Sequence, residues 1–401
     1  MLRTAAGWPL TDEERLLQAT ARDFAEREVA PGAIERDSSE TYDRSLFRRM
    51  GQLGLTAAPF PESDGGAGVS YLGWTLVMEE LGRADLAVAV SLSVHVLSQF
   101  PVVAWGTGDQ KRRWLPAMLD GGALGAFALT EPRAGSDAAA IGTRATPIDS
   151  SGRELQPGSG EVAAYRLTGT KIWISNAPEA ERYLVFATVD PSAGATGITA
   201  LLVERGTPGF RFGVREHKMG IRSCPACELV FSGAEIPVAN RLGAEGQGYR
   251  IALSALAEGR ISIAAACVGL ARSALEQSAR YLAQRQAFGR PLAEQQGLQF
   301  MLAEMAQQVA AARALTRVAA AARDRGEPLA EVSSLAKWTA SDAAMNVATE
   351  AVQLFGGSGY SRETGIERLM RDAKGAQIYE GTNQIHRLIV AEEVLRGVAG
   401  G

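Results

Sequence analysis

The residues best placed to do chemistry are Ile378-Tyr379-Glu380-Gly381-Thr382-Asn383-Gln384-Ile385, just ahead of a C-terminal helical stretch. Glu380 stands among apolar and small residues, with no cation near it in sequence until His386 and Arg387. Burying a carboxylate in such surroundings penalises its charged form, which lifts its pKa toward that of a useful general base. Gly381 lets the backbone come close to a ligand, and Thr382 or Asn383 can cap the helix that follows. Taken alone, these residues also fit a surface turn that happens to carry a glutamate.

Two further stretches carry polar groups at useful spacing. Leu129-Thr130-Glu131-Pro132-Arg133-Ala134-Gly135-Ser136-Asp137 offers small residues, hydroxyls and backbone N–H groups, which suit a loop folded over a polar ring or a pyrophosphate. In Lys171-Ile172-Trp173-Ile174-Ser175-Asn176 the two-residue period of a strand puts Trp173 and Ser175 on one face, an indole beside a hydroxyl. Each is weak alone, since a tryptophan in a strand is more often core.

The elements that must position these residues fall into three zones. At 401 residues the chain exceeds one comfortable core, and two or three domains are expected. Residues 1–125 read as helical: Thr11-Asp12-Glu13-Glu14 has the form of an N-cap and acidic first turn, and Pro31-Gly32 is read as the stop of that helix. Amphipathic helices follow at 45–55 and 72–82. The glycine-rich run at 63–68 lacks a following Lys-Ser/Thr and is read as a connector, not a phosphate cradle. From 126 to 240 the period shifts toward two and predicts strands, with a long surface hairpin loop at 148–161. From 241 to 401 the chain is Ala-rich, with helices at about 248–285, 294–324, 329–355 and 383–396. Strands between two helical blocks, without βαβ alternation, exclude a Rossmann or TIM-barrel plan. The fold class is α+β: an N-terminal α domain, a middle barrel-like or sandwich β domain, and a C-terminal four-helix bundle.

Composition narrows the function. A net charge of −4 argues against nucleic acid as the main partner. Three cysteines make no disulfide framework, and Cys224-Pro225-Ala226-Cys227 leads into a strand, not a redox helix, so it reads as structural. The stretch Leu86–Trp105 has no Asp, Glu, Lys or Arg, yet its serines, His95, Gln99 and Pro101 fit a buried helix lining a cavity better than a membrane span. No signal peptide is read at the N-terminus, and a cytoplasmic location is expected.

In order and spacing, Leu129 to Asp137, Trp173-Ile174-Ser175, Arg285-Gln286-Ala287-Phe288-Gly289, Gln353-Leu354-Phe355-Gly356-Gly357-Ser358-Gly359-Tyr360 and Tyr379-Glu380-Gly381-Thr382 together resemble the acyl-CoA dehydrogenase family, over nearly the whole chain. The resemblance implies FAD and a homotetramer built as a dimer of dimers. It implies that Phe127, Leu129, Thr130, Gly135, Ser136, Trp173, Ile174 and Ser175 hold the flavin ring and pyrophosphate. Arg285, Phe288, Gln296 and Gln353, Leu354, Phe355, Gly356 and Gly357 then reach the adenine part of a neighbouring subunit's FAD, while Thr382, Asn383 and Gln384 follow the base and touch FAD as well. Ser136, Gln99, Arg260 and Gly381 are the implied acyl-CoA contacts, and Glu380 the implied catalytic base. Some members place that base at the position of Gly259; here only Glu380 can serve, and Glu258, turned about 100° away on a helix, cannot. Arg133 and the length of 148–161 depart from the usual pattern.

The implied reaction removes the α-proton of a saturated acyl-CoA and a hydride from its β-carbon, gives a trans-2-enoyl-CoA, and passes electrons to electron-transfer flavoprotein. An acyl-CoA oxidase, a branched-chain acyl-CoA dehydrogenase and a non-catalytic binding module are the alternatives. Gln99 and Phe100 are expected to close the acyl cavity at short or medium length.

Overall fold

The computed structural model describes residues 9–399; residues 1–8 and 400–401, the outer ends of the first and third expected domains, lie outside it. The N-terminal part is helical. Helix α1 (Asp12–Phe24) starts on a capping box in which Thr11 and Glu14 satisfy each other's backbone N–H groups. The chain does not stop at Pro31-Gly32. It continues through a π turn (Ala25–Val29) and a 3₁₀ turn (Ala30–Gly32) into α2 (Ala33–Ser39). Pro31 sits in the first turn of its short helix, where a missing N–H costs nothing, so the expected stop is corrected to a bend.

Helices α3 (Arg44–Gln52), α4 (Tyr71–Ala84), α5 (Leu86–Trp105) and α6 (Gly108–Leu119) follow. Asp43, Ser70, Asp85 and Thr107 accept N–H bonds at their respective starts. Helix α5 has a mean hydropathy of 1.8, long and apolar enough to cross a membrane, but 89% of it is buried inside the fold. It is a core helix.

The middle of the chain forms one eight-stranded sheet from β1 (Gly125–Ala128), β2 (Arg144–Ile148), β3 (Ala164–Ser175), β4 (Arg182–Thr188), β5 (Ile198–Glu204), β6 (Phe210–Arg215), β7 (Ala226–Pro237) and β8 (Arg241–Leu242). The order is β6-β7-β3-β2-β4-β5-β8, with β1 also on β4. Most pairs are antiparallel; β1 and β2 each run parallel to β4. The 148–161 stretch is the exposed connection of the β2–β3 hairpin, as its polar composition predicts.

The C-terminal part is built on α7 (Gly248–Gln284), a short β9–β10 hairpin (Gln286–Ala287, Arg290–Pro291), α8 (Gln296–Asp324), α9 (Ala330–Phe355), α10 (Gly357–Tyr360), α11 (Ile366–Ala376) and α12 (Asn383–Ala399). Helix α11 was not expected from the sequence. Its buried face carries Arg368 and Asp372 as well as Ile366 and Leu369, which breaks the apolar periodicity. Ion pairs hold it instead: Arg368 with Asp85 and Asp372, and Arg371 with Asp37. Asp372 also accepts the N–H of Ile221, so α11 ties α2, α5 and the middle sheet together.

Candidate functional site

Glu380 sits in the loop between α11 and α12, with the backbone in the left-handed region at φ 57°, followed by Gly381 at φ 87°. A non-glycine residue there costs about 1–2 kcal/mol and persists only where its surroundings over-determine it. The residue is partly exposed, but its Oε2 is enclosed and has no hydrogen-bond partner among the described residues. A Cβ built on Gly259 of α7 would lie 3.2 and 3.3 Å from the two carboxylate oxygens, and 3.0 Å from Cδ1 of Leu97 on α5. The carboxylate thus lies against a spot on α7 where the lack of a side chain leaves room.

Burial raises the Glu380 pKa to about 7; Arg260, and after it Lys337, pull the other way. Arg260 is buried; among the described residues its Nε has no partner and its side chain makes one long hydrogen bond, 3.4 Å from Nη1 to Ser334 Oγ. The cations absent near Glu380 in sequence are therefore supplied in space. Lys337 was missed by sequence reasoning. Its signal was a lone lysine among Ser333, Ser334, Ala336, Ala340 and Ser341, a face of small residues that all bury with it. Glu258 pairs instead with Arg323 at 2.9 Å, consistent with its expected orientation away from the site.

Around the base, Thr382 Oγ1 caps α12 by accepting the Ile385 N–H. The Asn383 side chain turns inward to Lys337, Ser341 and Asp342, so it is bound within the protein and not open to a cofactor. Gln384 is exposed. His386 is buried with its ring against the Glu380–Gly381 backbone, its ring nitrogens make no well-formed hydrogen bond among the described residues, and burial holds its pKa down to about 3, so it stays neutral.

On the middle sheet, Trp173 has φ 59° at a register shift between β3 and β7, and its side chain is 54% exposed. The bulge lies before Ile174, and from there burial alternates from exposed Trp173 through buried Ile174 to half-buried Ser175, in keeping with the two-residue period. What the bulge does is turn the indole out of the core, where a strand tryptophan would otherwise lie. Ser175 faces the Cys224 thiol, and Tyr379 lies close to the same thiol, which links the strand to the Glu380 loop. All three cysteines are free and buried.

The loop at 129–137 is fixed from below. Buried Lys171 donates to the Leu129 carbonyl at 3.0 Å and to Glu131 at 2.6 Å; Glu131 also accepts the N–H groups of Gly142 and Thr143. Ile172 donates its N–H to the Thr130 carbonyl. Phe127 packs at a tilt against Phe186 beneath, 4.9 Å between centroids. Gly135 and Ser136 are exposed, and their N–H groups make no hydrogen bond among the described residues. Arg133 is exposed beside them.

Arg285, Phe288 and Gln296 cluster at the far end of α7, where Tyr281 stacks on Phe355 at 4.2 Å between centroids. Gln353, Gly356 and Gly357 are exposed there, whereas Leu354 is buried. Helix α7 has 37 residues, with Gly259 about a third of the way along and Arg285 just past its end, about 39 Å further on at ~1.5 Å per residue. Helix α9, 26 residues and about 39 Å long, likewise carries Lys337 in its first third and Gln353 near its end. Within one chain the Arg285 cluster is therefore remote from Glu380.

Gln99 is wholly buried, its Nε2 donating to the Thr56 carbonyl at 3.3 Å, and Phe100 packs on Phe60 and Tyr71. The α5 side chain that meets Gly259 beside the carboxylate is Leu97, which sequence reasoning did not single out.

Family models for the acyl-CoA dehydrogenase N-terminal, middle and C-terminal domains match residues 11–122, 126–234 and 246–395. An acyl-CoA dehydrogenase of Bacillus subtilis (strain 168) is 43% identical over 97% of this chain and 99% of its own. Butyryl-CoA dehydrogenase from Megasphaera elsdenii superimposes with a TM-score of 0.92 at 43% identity, over 97% of this chain and 99% of that one. A chain in the structure of the electron transferring flavoprotein of Acidaminococcus fermentans gives 0.92 at 42% identity over the same shares. With its helical ends, central sheet and three matched domains in order, this chain belongs to the acyl-CoA dehydrogenase family.

Proposed function

We propose that this protein dehydrogenates short-chain acyl-CoA thioesters, with Glu380 as the base that takes the α-proton. The observation that carries this reading is the enclosed Glu380 carboxylate against Gly259, with burial lifting its pKa to about 7 and Arg260 and Lys337 limiting the rise. A carboxylate with that proton affinity is matched to neutral pH, where it is substantially ionised yet a far stronger base than an exposed glutamate.

An α-proton of a thioester is too weakly acidic for a carboxylate unless charge on the carbonyl oxygen is stabilised. The Glu380 N–H makes no hydrogen bond among the described residues and stands free to donate to that oxygen. Leu97 and the surface of α7 at Gly259 exclude water beside the base.

FAD fits the residues present: the turned-out Trp173 indole and Ser175 for the ring, and the unpaired N–H groups of Gly135 and Ser136 with the Thr130 hydroxyl for phosphate oxygens. When bound, FAD supplies the two-electron acceptor for the hydride that leaves the β-carbon, and the product is a trans-2-enoyl-CoA. The remoteness of Arg285, Phe288, Gln296 and Gln353–Gly357 from Glu380 supports the reading that they serve the FAD of a neighbouring subunit in a homotetramer. Likeness to the butyryl-CoA enzyme supports a chain of about four carbons as the preferred substrate, and likeness to the Acidaminococcus chain supports an electron-transfer flavoprotein as acceptor.

Anaerobic mixing of the holoenzyme with butyryl-CoA should bleach the flavin absorbance, and Glu380→Gln should keep FAD but not bleach. A Glu380→Gln variant that retains the reductive rate would remove Glu380 from this role. Slow reoxidation in air, against fast reoxidation by electron-transfer flavoprotein, separates a dehydrogenase from an oxidase.

A further inference from the structure

Lys337 is wholly buried on α9, and a buried ammonium needs a reason. Its Nζ donates to the Gly381 carbonyl at 2.7 Å and to Asn383 Oδ1 at 3.1 Å. These bonds fall just after Glu380, on the loop whose backbone is left-handed at both Glu380 and Gly381. Among the described residues, Lys337 is the side chain that holds the Gly381 carbonyl.

The hydrogen bonds satisfy the ammonium's donors but do not offset its charge. The titratable and charged groups that face it are few, and one of them, Arg260, is a second cation. From α7 come the Cys267 thiol and Arg260, from its own helix Asp342, and from the loop Glu380; neutral His386 of α12 also lies close. Asp342 accepts from Trp338, Gln377 and Asn383 and has its own cation in Arg387 at 3.7 Å. Cys267 is a buried thiol whose pKa burial pushes up to about 12, so it carries no charge. The carboxylate left to balance Lys337 is Glu380. Around Glu380 itself stand Arg260 from α7, Lys337 from α9, and the phenols of Tyr71 from α4 and Tyr379 beside it. Both phenols are held neutral by burial.

We propose that Lys337 is a positioning residue for Glu380: its ammonium clamps the Gly381 carbonyl, holding the loop in its left-handed turn, and its charge keeps the neighbouring carboxylate ionised in the resting enzyme. The inference rests on the assignment of Glu380 as the base. It also accounts for a buried lysine that no substrate or cofactor contact requires. Burial brings the Lys337 pKa down to about 8, which leaves it mostly protonated at neutral pH.

The test compares wild type with Lys337→Met, which keeps length and loses both charge and donor, and with Lys337→Arg, which keeps charge and changes the fork. FAD content and melting temperature report on folding. The rate of anaerobic flavin reduction by butyryl-CoA is followed against pH, and the Glu380 carboxyl is titrated directly by infrared difference against Glu380→Gln. With the cation gone, Lys337→Met should lose about tenfold in rate at neutral pH, and both the rate limb and the infrared titration should move up by about one unit. Lys337→Arg should leave the titration near wild type while losing rate, because charge is kept and the clamp is not. A limb and an infrared titration that stay put in Lys337→Met overturn the proposal and leave Lys337 a packing residue. If Lys337→Met does not hold FAD, Lys337→Gln, which keeps a donor and loses the charge, gives the same readouts. Should wild type fail to bleach with any acyl-CoA, the base assignment falls by itself; the infrared titration, which uses no substrate, still decides whether Lys337 governs Glu380.

Discussion

At the scale of single residues, the site depends on a carboxylate fitted against a missing side chain. A Cβ on Gly259 would come within 3.3 Å of both Glu380 oxygens and 3.0 Å of Leu97. Gly259→Ala should therefore push the carboxylate off its position and cut the rate of flavin reduction by about 10²-fold, the scale of a displacement of roughly 1 Å. The fold should lose no more than about 1–3 kcal/mol, since overpacking is partly relieved by the loop. Stopped-flow reduction beside a thermal melt checks both, and a variant with wild-type rate would mean that the base does not sit there in action. The pH dependence has a definite sign. A base works ionised, so the rate in the free enzyme should fall as pH drops through about 7, the value to which burial raises Glu380. That value was legible in the sequence as a direction only: an isolated glutamate among apolar residues announces desolvation. Of the opposing cations, Arg260 was expected at the site only through the family resemblance and Lys337 not at all, because both lie more than 40 residues away along the chain and are brought in by helices α7 and α9.

At the scale of elements, periodicity carried most of the architecture, and the failures share a cause. Helix α11 escaped because Arg368 and Asp372 occupy its buried face, and an apolar pattern cannot register a helix held by buried ion pairs. Trp173 was expected as a flavin wall, but the bulge between Lys171 and Ile174 that gives it φ 59° was not, because strand periodicity assumes an unbroken ladder. Both exceptions border the candidate site, where local rules yield to the demands of a ligand. The ion pairs on α11 can be tested. Arg368→Met should leave Asp372 buried with its cation gone, while Asp85 keeps Arg36 at 2.9 Å. Loss of one partner from a buried pair costs about 3–5 kcal/mol. Since Asp372 also holds the Ile221 N–H, the damage should spread to the contact between α11 and the middle sheet. Hydrogen exchange should then rise in both 219–225 and 366–376; protection retained in the first segment would show that Asp372 needs no cation to hold it.

At the scale of the whole molecule, the length of α7 poses a question that one chain does not answer. Exposed Arg285 and Phe288 (94% exposed) stand past the end of α7, about 39 Å at ~1.5 Å per residue from Gly259, where Glu380 packs. So large an exposed aromatic, with backbone at φ 54°, is unusual unless another surface covers it. On the proposed homotetramer, a neighbouring subunit would bring its own FAD to this corner, cover the ring and give Arg285 an anionic partner. FAD binding and assembly are then one linked equilibrium, because a ligand held across an interface stabilises the assembled form by mass action. Arg285→Ala should release FAD on dilution and shift the enzyme toward smaller species in analytical ultracentrifugation, and added FAD should reverse both changes together. The residues near Glu380 remain intact in that variant, so the FAD it still holds should be reduced by butyryl-CoA at close to the normal rate. Loss of FAD without any change in sedimentation would show that Arg285 binds within its own chain, against the distance set by α7.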